Sequence, residues 1–257
     1  MNYIISANTD VGITKITNQD SLSVRVLNTA SGSMIFAIIC DGMGGLSAGE
    51  LASATVVKAF MDWTEMYLPQ IAEAPIEDHI IKSQWENIVK TQNEKIMNYG
   101  KRQGLREGIG TTAVAMLLTN SRYYIMNVGD SRAYEITNTL KQITEDQTFV
   151  AREIKSGNMT IEQAELDPQK NVLLQCVGAS ESVYPEMFFG QTRENAVYML
   201  CSDGFRHEIT ADEIWENFNP NELTSKDIMD YNLKYLIDLN KQRQEKDNIT
   251  VALIRTY

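Results

Sequence analysis

Aspartate residues stand at the ends of five apolar segments of this 257-residue sequence. They are Asp20, Asp41, Asp130, Asp203 and Asp247. Asp, Asn and Gly are common turn residues, so any one of these aspartates can be explained by a turn. All five together are harder to explain in that way, because a turn does not need the same acid at so many strand ends. If the strand ends meet at one edge, the carboxylates repel one another unless cations lie between them.

The candidate ligand set contains oxygen atoms only, which is typical of sites for hard ions such as Mg²⁺ or Mn²⁺. The segment CDGMGG (40–45) adds glycines beside Asp41, and glycine permits a tight turn or a close approach of the backbone to an ion or a phosphate. A pair of such ions activates water for attack on phosphorus without a catalytic Ser, Cys or His. The sequence has two histidines and lacks the GxSxG, HExxH and P-loop motifs, which favours this chemistry.

Apolar strands are predicted to position these aspartates. The predicted strands are 3–7, 21–27, 34–40, 112–118, 123–128, 132–136, 184–190, 196–201 and 249–255. The predicted helices are one that starts at a Ser47–Glu50 capping box, then 77–99 with a stop at Gly100 or Gly104, 211–218 and 225–240. Region 146–176 is predicted to be mixed and mostly helical. The short connections TNSR and GDS predict hairpins, and the whole pattern predicts an α+β fold with a β-sandwich covered by helices.

The composition disfavours several classes of protein. Hydrophobic residues make up 43% of the chain, which is ordinary for a folded protein, and the formal net charge of -11 disfavours nucleic acid and anionic membranes as partners. The N-terminal residues lack the pattern of a signal peptide, and no apolar stretch reaches the roughly 20 residues that span a bilayer. Cys40, Cys176 and Cys201 form no zinc-type pair, which predicts buried, reduced thiols in a cytoplasmic protein.

Taken in order, the motifs resemble those of the metal-dependent protein phosphatases, the type 2C serine/threonine phosphatases, in their bacterial form. The matching segments are KITNQDS (15–21), CDGMGG (40–45), GTTAV (110–114), NVGDSRAY (127–134), ITEDQTFV (143–150), LLQCVGA (173–179), LCSDGF (200–205) and KDNITVALI (246–254). Together they are far more specific than any one alone. The resemblance implies one catalytic domain, 1–257, with two antiparallel sheets flanked by pairs of helices and a flap at about 151–183.

The resemblance also implies a role for each aspartate. Asp41 would bridge two Mn²⁺ or Mg²⁺ ions, the Gly42 carbonyl would bind one of them, and Asp203 and Asp247 would hold the other. Asp130, together with Asp203, would form a third and weaker metal site. A hydroxide that bridges the two ions would attack phosphorus, so Asp41 and Asp203 are expected to be essential for catalysis.

The chain departs from the family pattern at three positions. Lys15 stands where an arginine is usual, and it would hold the substrate phosphate as a point charge without the bidentate fork of arginine. Gln19 stands where an acid is usual, so the second ion would be held more loosely, with waters or Asp20 in its outer shell. Met43 stands where some members have a histidine, so the leaving oxygen would take its proton from water or from another group.

The leading hypothesis is a cytoplasmic, monomeric phosphatase that acts on phosphoserine and phosphothreonine in proteins and opposes a bacterial Ser/Thr kinase. A second hypothesis, motivated by Lys15 and Gln19, is a catalytically weak member that serves as a binding or sensing module. A third is a hydrolase of small phosphate esters that uses the same ions. The retained aspartates favour catalysis, because a decayed site is expected to lose its ligands.

Overall fold

The computed structural model describes residues 1–29, 32–44, 48–72, 76–105 and 108–257. The strands are β1 (Tyr3–Asp10), β2 (Ser21–Thr29), β3 (Gly32–Cys40), β4 (Gly42–Gly44), β5 (Ile109–Thr111), β6 (Ala113–Leu118), β7 (Arg122–Val128), β8 (Arg132–Ile136), β9 (Leu140–Gln142), β10 (Glu186–Gln191), β11 (Ala196–Cys201) and β12 (Ile249–Thr256). The helices are α1 (Ala48–Met66), α2 (Leu68–Ile71), α3 (Asp78–Gln103), α4 (Phe149–Lys155), α5 (Ile161–Leu166), α6 (Asp203–Arg206), α7 (Ala211–Phe218) and α8 (Lys226–Gln242).

Two five-stranded antiparallel sheets stack on each other at the centre of the fold. The first has the strand order β1-β12-β11-β8-β9, the second has the order β10-β7-β6-β3-β2, and β4 pairs separately with β5. Alternation along β3 explains the stacking, because Ile35 and Ile39 pack in the core between the sheets while Phe36 and Ile38 pack against the helices. The predicted α+β sandwich is therefore confirmed.

Helices cover the outer face of each sheet. Phe60 of α1 stacks on Phe36 with ring centroids 5.9 Å apart, and Trp85 of α3 meets Phe36 edge to face at the same distance. On the opposite face, α7 and α8 bury Ile214 and Leu233 against the first sheet. Among the residues described, no helix combines the length and the apolarity needed to cross a membrane.

The GDS connection (129–131) does not form the predicted hairpin. Strand β7 belongs to the second sheet and β8 to the first, so the chain crosses between the sheets at Asp130. Gly129 permits this crossing, because its φ is 100° and a side chain there would come within 2.7 Å of Thr112 Cγ2. The other short connection, TNSR, joins β6 and β7 as an antiparallel pair, as the sequence predicts.

Other differences from the predictions concern helices. Region 146–176 contains only the short helices α4 and α5, and the remainder is turns and extended chain. Helix α3 continues through Gly100 and ends at Gly104, whose φ of 66° closes the helix in the left-handed conformation. Ser47, the first residue of the predicted capping box, lies outside the described residues.

Candidate active site

The register of the second sheet brings two of the aspartates together. Ser21 of β2 lies opposite Cys40 of β3. Asp20 directly precedes Ser21 and Asp41 directly follows Cys40, so both aspartates stand at the same end of this strand pair. Asp20 is buried, with only 7% of its surface exposed. Both carboxylates therefore lie at one end of the second sheet.

The first sheet contributes Asp203 and Asp247 in the same way. Cys201 of β11 pairs with Val251 of β12, so the residues after β11 meet those before β12. Gly204 lies so close to this junction that a side chain there would come within 3.3 Å of Asp247 Cβ and within 2.1 Å of a backbone oxygen. The glycine of the SDG motif thus lets the two acidic segments approach each other.

The backbone of Asp41 is held by two threonines of the neighbouring strands. The Asp41 N–H donates to Thr112 Oγ1 at 3.0 Å, and the Asp41 carbonyl accepts from Thr112 N and from Thr111 Oγ1, both at 2.8 Å. The Thr112 hydroxyl also bonds to Ser131 Oγ at 2.8 Å, next to the crossing between the sheets. This network links the position of Asp41 to that of the segment that carries Asp130.

The carboxylates raise one another's pKa values. Burial raises the pKa of Asp41 well above its ordinary value, and the charges of the other four aspartates raise it further. Burial likewise raises the pKa of Asp20 to about 7 and that of Asp130 to about 6, and Asp203 raises both. All five predicted aspartates are thus within electrostatic reach of one centre, Asp41.

Several oxygens at this centre have no partner within the chain. Both carboxylate oxygens of Asp20 and the Oδ1 of Asp203 are buried without a hydrogen bond. The nearby hydroxyls of Thr250 and Ser202 lower the pKa of Asp20, and the Thr250 hydroxyl also bonds to Thr9 Oγ1 at 2.7 Å. Buried carboxylate oxygens are normally bonded, so this arrangement suits cations. Within the described residues, however, no three His, Cys, Asp or Glu side chains already stand in a metal-binding arrangement.

Gly42 occupies a space that only glycine fits. A Cβ at this position would lie 2.2 Å from the Gly49 carbonyl oxygen and 2.5 Å from the Gln19 carbonyl oxygen. Its N–H donates to the Gln19 carbonyl at 3.2 Å, and it pairs with Thr111 in the small β4–β5 sheet, which the sequence did not predict. The backbone after Asp41 is therefore fixed beside the acidic centre. Gly45, the last glycine of the motif, lies outside the described residues.

Comparison with known proteins agrees with this geometry. The model of the family described as protein phosphatase 2C matches residues 13–246. The chain belongs to the protein phosphatase 2C family. A serine/threonine phosphatase stp of Listeria monocytogenes is 32% identical over 219 residues, which are 84% of this chain and 82% of the relative. The chain is therefore a metal-dependent serine/threonine protein phosphatase, and the predicted family and enzyme class are confirmed.

Solved structures agree with the family assignment. The serine/threonine phosphatase of S. agalactiae has a TM-score of 0.84 and 30% identity, with 100% of both chains covered. The catalytic domain of the serine/threonine protein phosphatase PstP, solved in complex with two manganese ions, has a TM-score of 0.77 and 26% identity, with 99% of both chains covered. The sandwich of this chain thus matches the fold of solved bacterial serine/threonine phosphatases.

Two of the residues that depart from the family pattern lie at the acidic centre. Lys15 Nζ is 3.1 Å from Asp247 Oδ1, and both side chains are roughly two-fifths exposed, so the pair lies at the rim. The Gln19 side-chain amide donates to the Gly44 carbonyl at 3.2 Å, and the main-chain carbonyl of Gln19 accepts from Ser53 Oγ at 2.6 Å. Gln19 therefore joins the loop before β2 to β4 and to α1, without adding a charge.

A basic side chain that the sequence prediction missed contacts Asp130. Arg206 Nη2 is 3.1 Å from the Asp130 carbonyl oxygen and 3.7 Å from Asp130 Oδ2. The same nitrogen is 3.6 Å from Asp146 Oδ2. Asp146 is in turn held by Arg132, with nitrogen–oxygen distances of 2.7 and 2.6 Å. Asp130 thus differs from Asp20, because a cation of the chain already faces it.

His207 stands between two acids. Its Nε2 is 3.4 Å from Asp203 Oδ2 and its Nδ1 is 3.3 Å from Glu245 Oε2. Glu245 is buried and accepts the N–H groups of Lys246 and Asp247 at 2.7 and 2.8 Å. The structure thus places His207 against Asp203, where it connects the segments that carry Asp203 and Asp247.

An open cleft extends from Asp130 away from the acidic centre. One wall is formed by α4 and α5, and the other by the segments 206–208 and 244–246. Ile161 of α5 lines this wall and is 63% exposed, so the wall presents an apolar side chain to solvent. The cleft lies beside the predicted flap and reaches Asp130.

Proposed function

We propose that the chain hydrolyses phosphoserine and phosphothreonine in proteins at a site that holds two divalent cations, Mn²⁺ or Mg²⁺. The observation that carries the proposal is the set of buried, unpartnered oxygens on Asp20 and Asp203 beside the strongly perturbed Asp41. An acid is rarely buried without a partner, and a divalent cation supplies one. The two manganese ions in the related PstP structure support the same count and the same type of ion.

The residues fit such ions as follows. Asp41 and the Gly42 carbonyl are proposed as ligands from the second sheet, and Asp203 and Asp247 as ligands from the first. Asp20, with no charged neighbour at position 19, is proposed for an outer position that contacts an ion through water. When bound, such cations lower the pKa of water and offset the negative charge that develops on the phosphoryl group.

The chain itself performs the positioning. Thr111 and Thr112 fix the backbone of Asp41. The buried Glu245 accepts from the N–H groups of Lys246 and Asp247 and so fixes the backbone of Asp247. Lys15 is placed at the rim, where its ammonium can leave Asp247 and bind a phosphate oxygen. Met43 supplies no proton, so the leaving oxygen is proposed to take its proton from water.

The wider setting is proposed from the same features. A single catalytic domain over 1–257 would carry a flap at about 151–183, and the cleft beside α5 would receive the polypeptide around the phosphorylated residue. The substrates are then phosphoproteins, opposed by a Ser/Thr kinase, and the chain would act as a monomer in the cytoplasm. A third, weaker ion at Asp130 also stays a prediction.

The deciding experiment measures hydrolysis of a phosphothreonine peptide, of p-nitrophenyl phosphate and of a sugar phosphate, each with Mn²⁺, with Mg²⁺ and with EDTA. Wild type is compared with Asp203→Asn and with Asp227→Asn, which removes the same charge from the exposed first turn of α8. We expect metal-dependent turnover of the peptide, lost in Asp203→Asn and retained in Asp227→Asn. Wild type that binds Mn²⁺ but hydrolyses no ester would favour a binding module, and preference for the sugar phosphate would favour a small-ester hydrolase.

A further inference from the structure

The guanidinium of Arg206 lies beside Asp130, where a metal ion bound to Asp130 would also lie. It is the last residue of the short helix α6, which begins with Asp203, so the two residues lie one helical turn apart. One nitrogen, Nη2, faces three oxygens of two residues, at 3.1 Å from the Asp130 carbonyl and at 3.7 and 3.6 Å from the carboxylates of Asp130 and Asp146. This cluster of oxygens around a single positive atom resembles the surroundings of a bound ion.

The guanidinium is held in this position by its surroundings. Its side chain is only 15% exposed, and its Nε is buried without a hydrogen-bond partner. Both oxygens of Asp146 already accept from Arg132, so Asp146 is only partly available to Arg206. Arg206 is therefore shared between Asp130 and Asp146, and it makes a short ion pair with neither of them.

The charge of Arg206 acts on Asp130. Asp203 raises the pKa of Asp130, whereas Arg206 lowers it, so the arginine offsets part of the repulsion between the two carboxylates. A divalent ion that bound Asp130 and Asp203 would stand close to this guanidinium. Two cations so close together, in a partly buried place, repel each other strongly.

We propose that Arg206 is a resident cation that competes with a third divalent ion for Asp130, so that the wild-type chain binds two ions well and the third only weakly. This inference rests on the proposed two-ion site. It makes Arg206 a determinant of metal stoichiometry, which the aspartates alone would not indicate.

The test is a titration of the metal-free protein with Mn²⁺, in which the electron paramagnetic resonance signal reports the concentration of free ion. The variants are Arg206→Gln, which removes the charge, and Arg206→Lys, which keeps it. Arg122→Gln is the matched control, because Arg122 also pairs with an acid, Asp78 at 2.6 Å, but at the end of β7 that lies opposite to Asp130. We expect a third ion to bind at least about tenfold more tightly to Arg206→Gln than to wild type. The Lys variant and the control should resemble wild type.

A double variant identifies where the gained ion binds. Asp130→Asn in the Arg206→Gln background should remove the third ion and leave the first two within about twofold of their affinity in wild type. Circular dichroism of each variant checks that the fold persists. The inference is overturned if Arg206→Gln binds the third ion no more tightly than wild type, or if wild type already binds three ions equally well. Wild type that binds no Mn²⁺ would instead overturn the proposed function itself.

Discussion

Two buried carboxylates of similar exposure have opposite surroundings in this phosphatase. Glu135, on β8, is 6% exposed and accepts from the Tyr198 hydroxyl at 3.2 Å, with Arg193 Nε at 3.3 Å. Asp20, at the acidic end, is 7% exposed, and neither of its oxygens has a hydrogen-bond partner. The same sandwich thus gives one buried acid both a hydrogen bond and a basic partner, and gives the other no basic partner within the described residues.

The difference shows what the fold does with charge in each region. Burying an ionised carboxylate costs several kcal/mol unless hydrogen bonds or an opposite charge offset the loss of water. Glu135 meets that need from within the chain and serves the packing of β8 on β11. The buried oxygens of Asp20 and Asp203 lack such partners, which is why we propose that divalent cations bind beside them.

Neutralising one acid in each region should give the largest difference in activity between the two regions. Asp41→Asn is expected to lower turnover of a phosphopeptide with Mn²⁺ by about 10³-fold or more, because it removes a proposed ligand at the reacting centre. Glu135→Gln, which is equally isosteric, should leave turnover within about twofold of wild type. Steady-state kinetics of both variants provide the measurement, and comparable activity in both would contradict the proposed role of Asp41.

The pH dependence of stability should differ between the regions when metal is removed. Asp20, with a pKa of about 7 in the folded chain against about 3.8 in the unfolded chain, keeps its proton on folding between these pH values. Protons then favour the folded state, so the free energy of unfolding falls as pH rises from about 4 to about 7. Asp20→Asn should remove this contribution, on the order of a few kcal/mol above pH 7.

Thermal unfolding in EDTA at pH 5 and at pH 8 measures this effect. The stability gap between Asp20→Asn and wild type should be wide at pH 8 and narrow at pH 5. Added Mn²⁺ should stabilise wild type most at pH 8, because it binds the ionised acids. A gap that does not change with pH would show that Asp20 is ionised in the folded, metal-free chain.

Hydroxyls at the two ends of β6 offer a matched comparison of smaller effect. Thr112, before the strand, accepts from Asp41 N, whereas Thr119, after it, accepts from Arg122 N at 3.0 Å in the hairpin. Each Thr→Val change should cost roughly 1 kcal/mol of stability. Only Thr112→Val should also weaken Mn²⁺ binding or turnover, by about tenfold, because it frees the backbone of a proposed ligand. Calorimetric Mn²⁺ titration separates the two.

The smallest expected effect is at the rim. Lys15→Met should lower kcat/KM for a phosphopeptide several-fold, roughly 1 kcal/mol, and Lys15→Arg should preserve or raise it through a bidentate contact with phosphate. Lys58→Met, which breaks an exposed pair with Asp62 on α1, is the control. If Lys15→Met weakens the binding of the unphosphorylated peptide as much as that of the phosphopeptide, Lys15 does not bind the phosphate. Its pairing with Asp247 would then be purely structural.

The strands and their acids could be predicted because the signals are local. Each strand is a continuous or alternating apolar run, and each aspartate is adjacent to one, so the register of β2 with β3 and of β11 with β12 follows once the sheets form. The glycines were also informative, since Gly42 and Gly204 stand where backbones nearly touch. Residue type and position were sufficient to predict which end of the sandwich carries the acids.

Contacts that depend on the third dimension were missed. The crossing of the chain at Asp130 resembles a hairpin in sequence, because both connections are short and polar and only the pairing of distant strands distinguishes them. The sequence analysis assigned no role to Arg206 or Glu245, although the structure places one against Asp130 and the other against His207. A signal did exist for Arg206 and His207, which directly follow SDGF, but sequence alone gave no partner for either.

The acids of the active site come from both sheets, with Asp20 and Asp41 at the end of one and Asp203 and Asp247 at the end of the other. An ion bound among them would tie the two sheets together across the core that they share. Sliding or parting of the sheets would then require release of the ion, so occupancy should slow unfolding as well as support hydrolysis. Metal supply would in this way set how long the folded enzyme survives proteolysis, in addition to how fast it works.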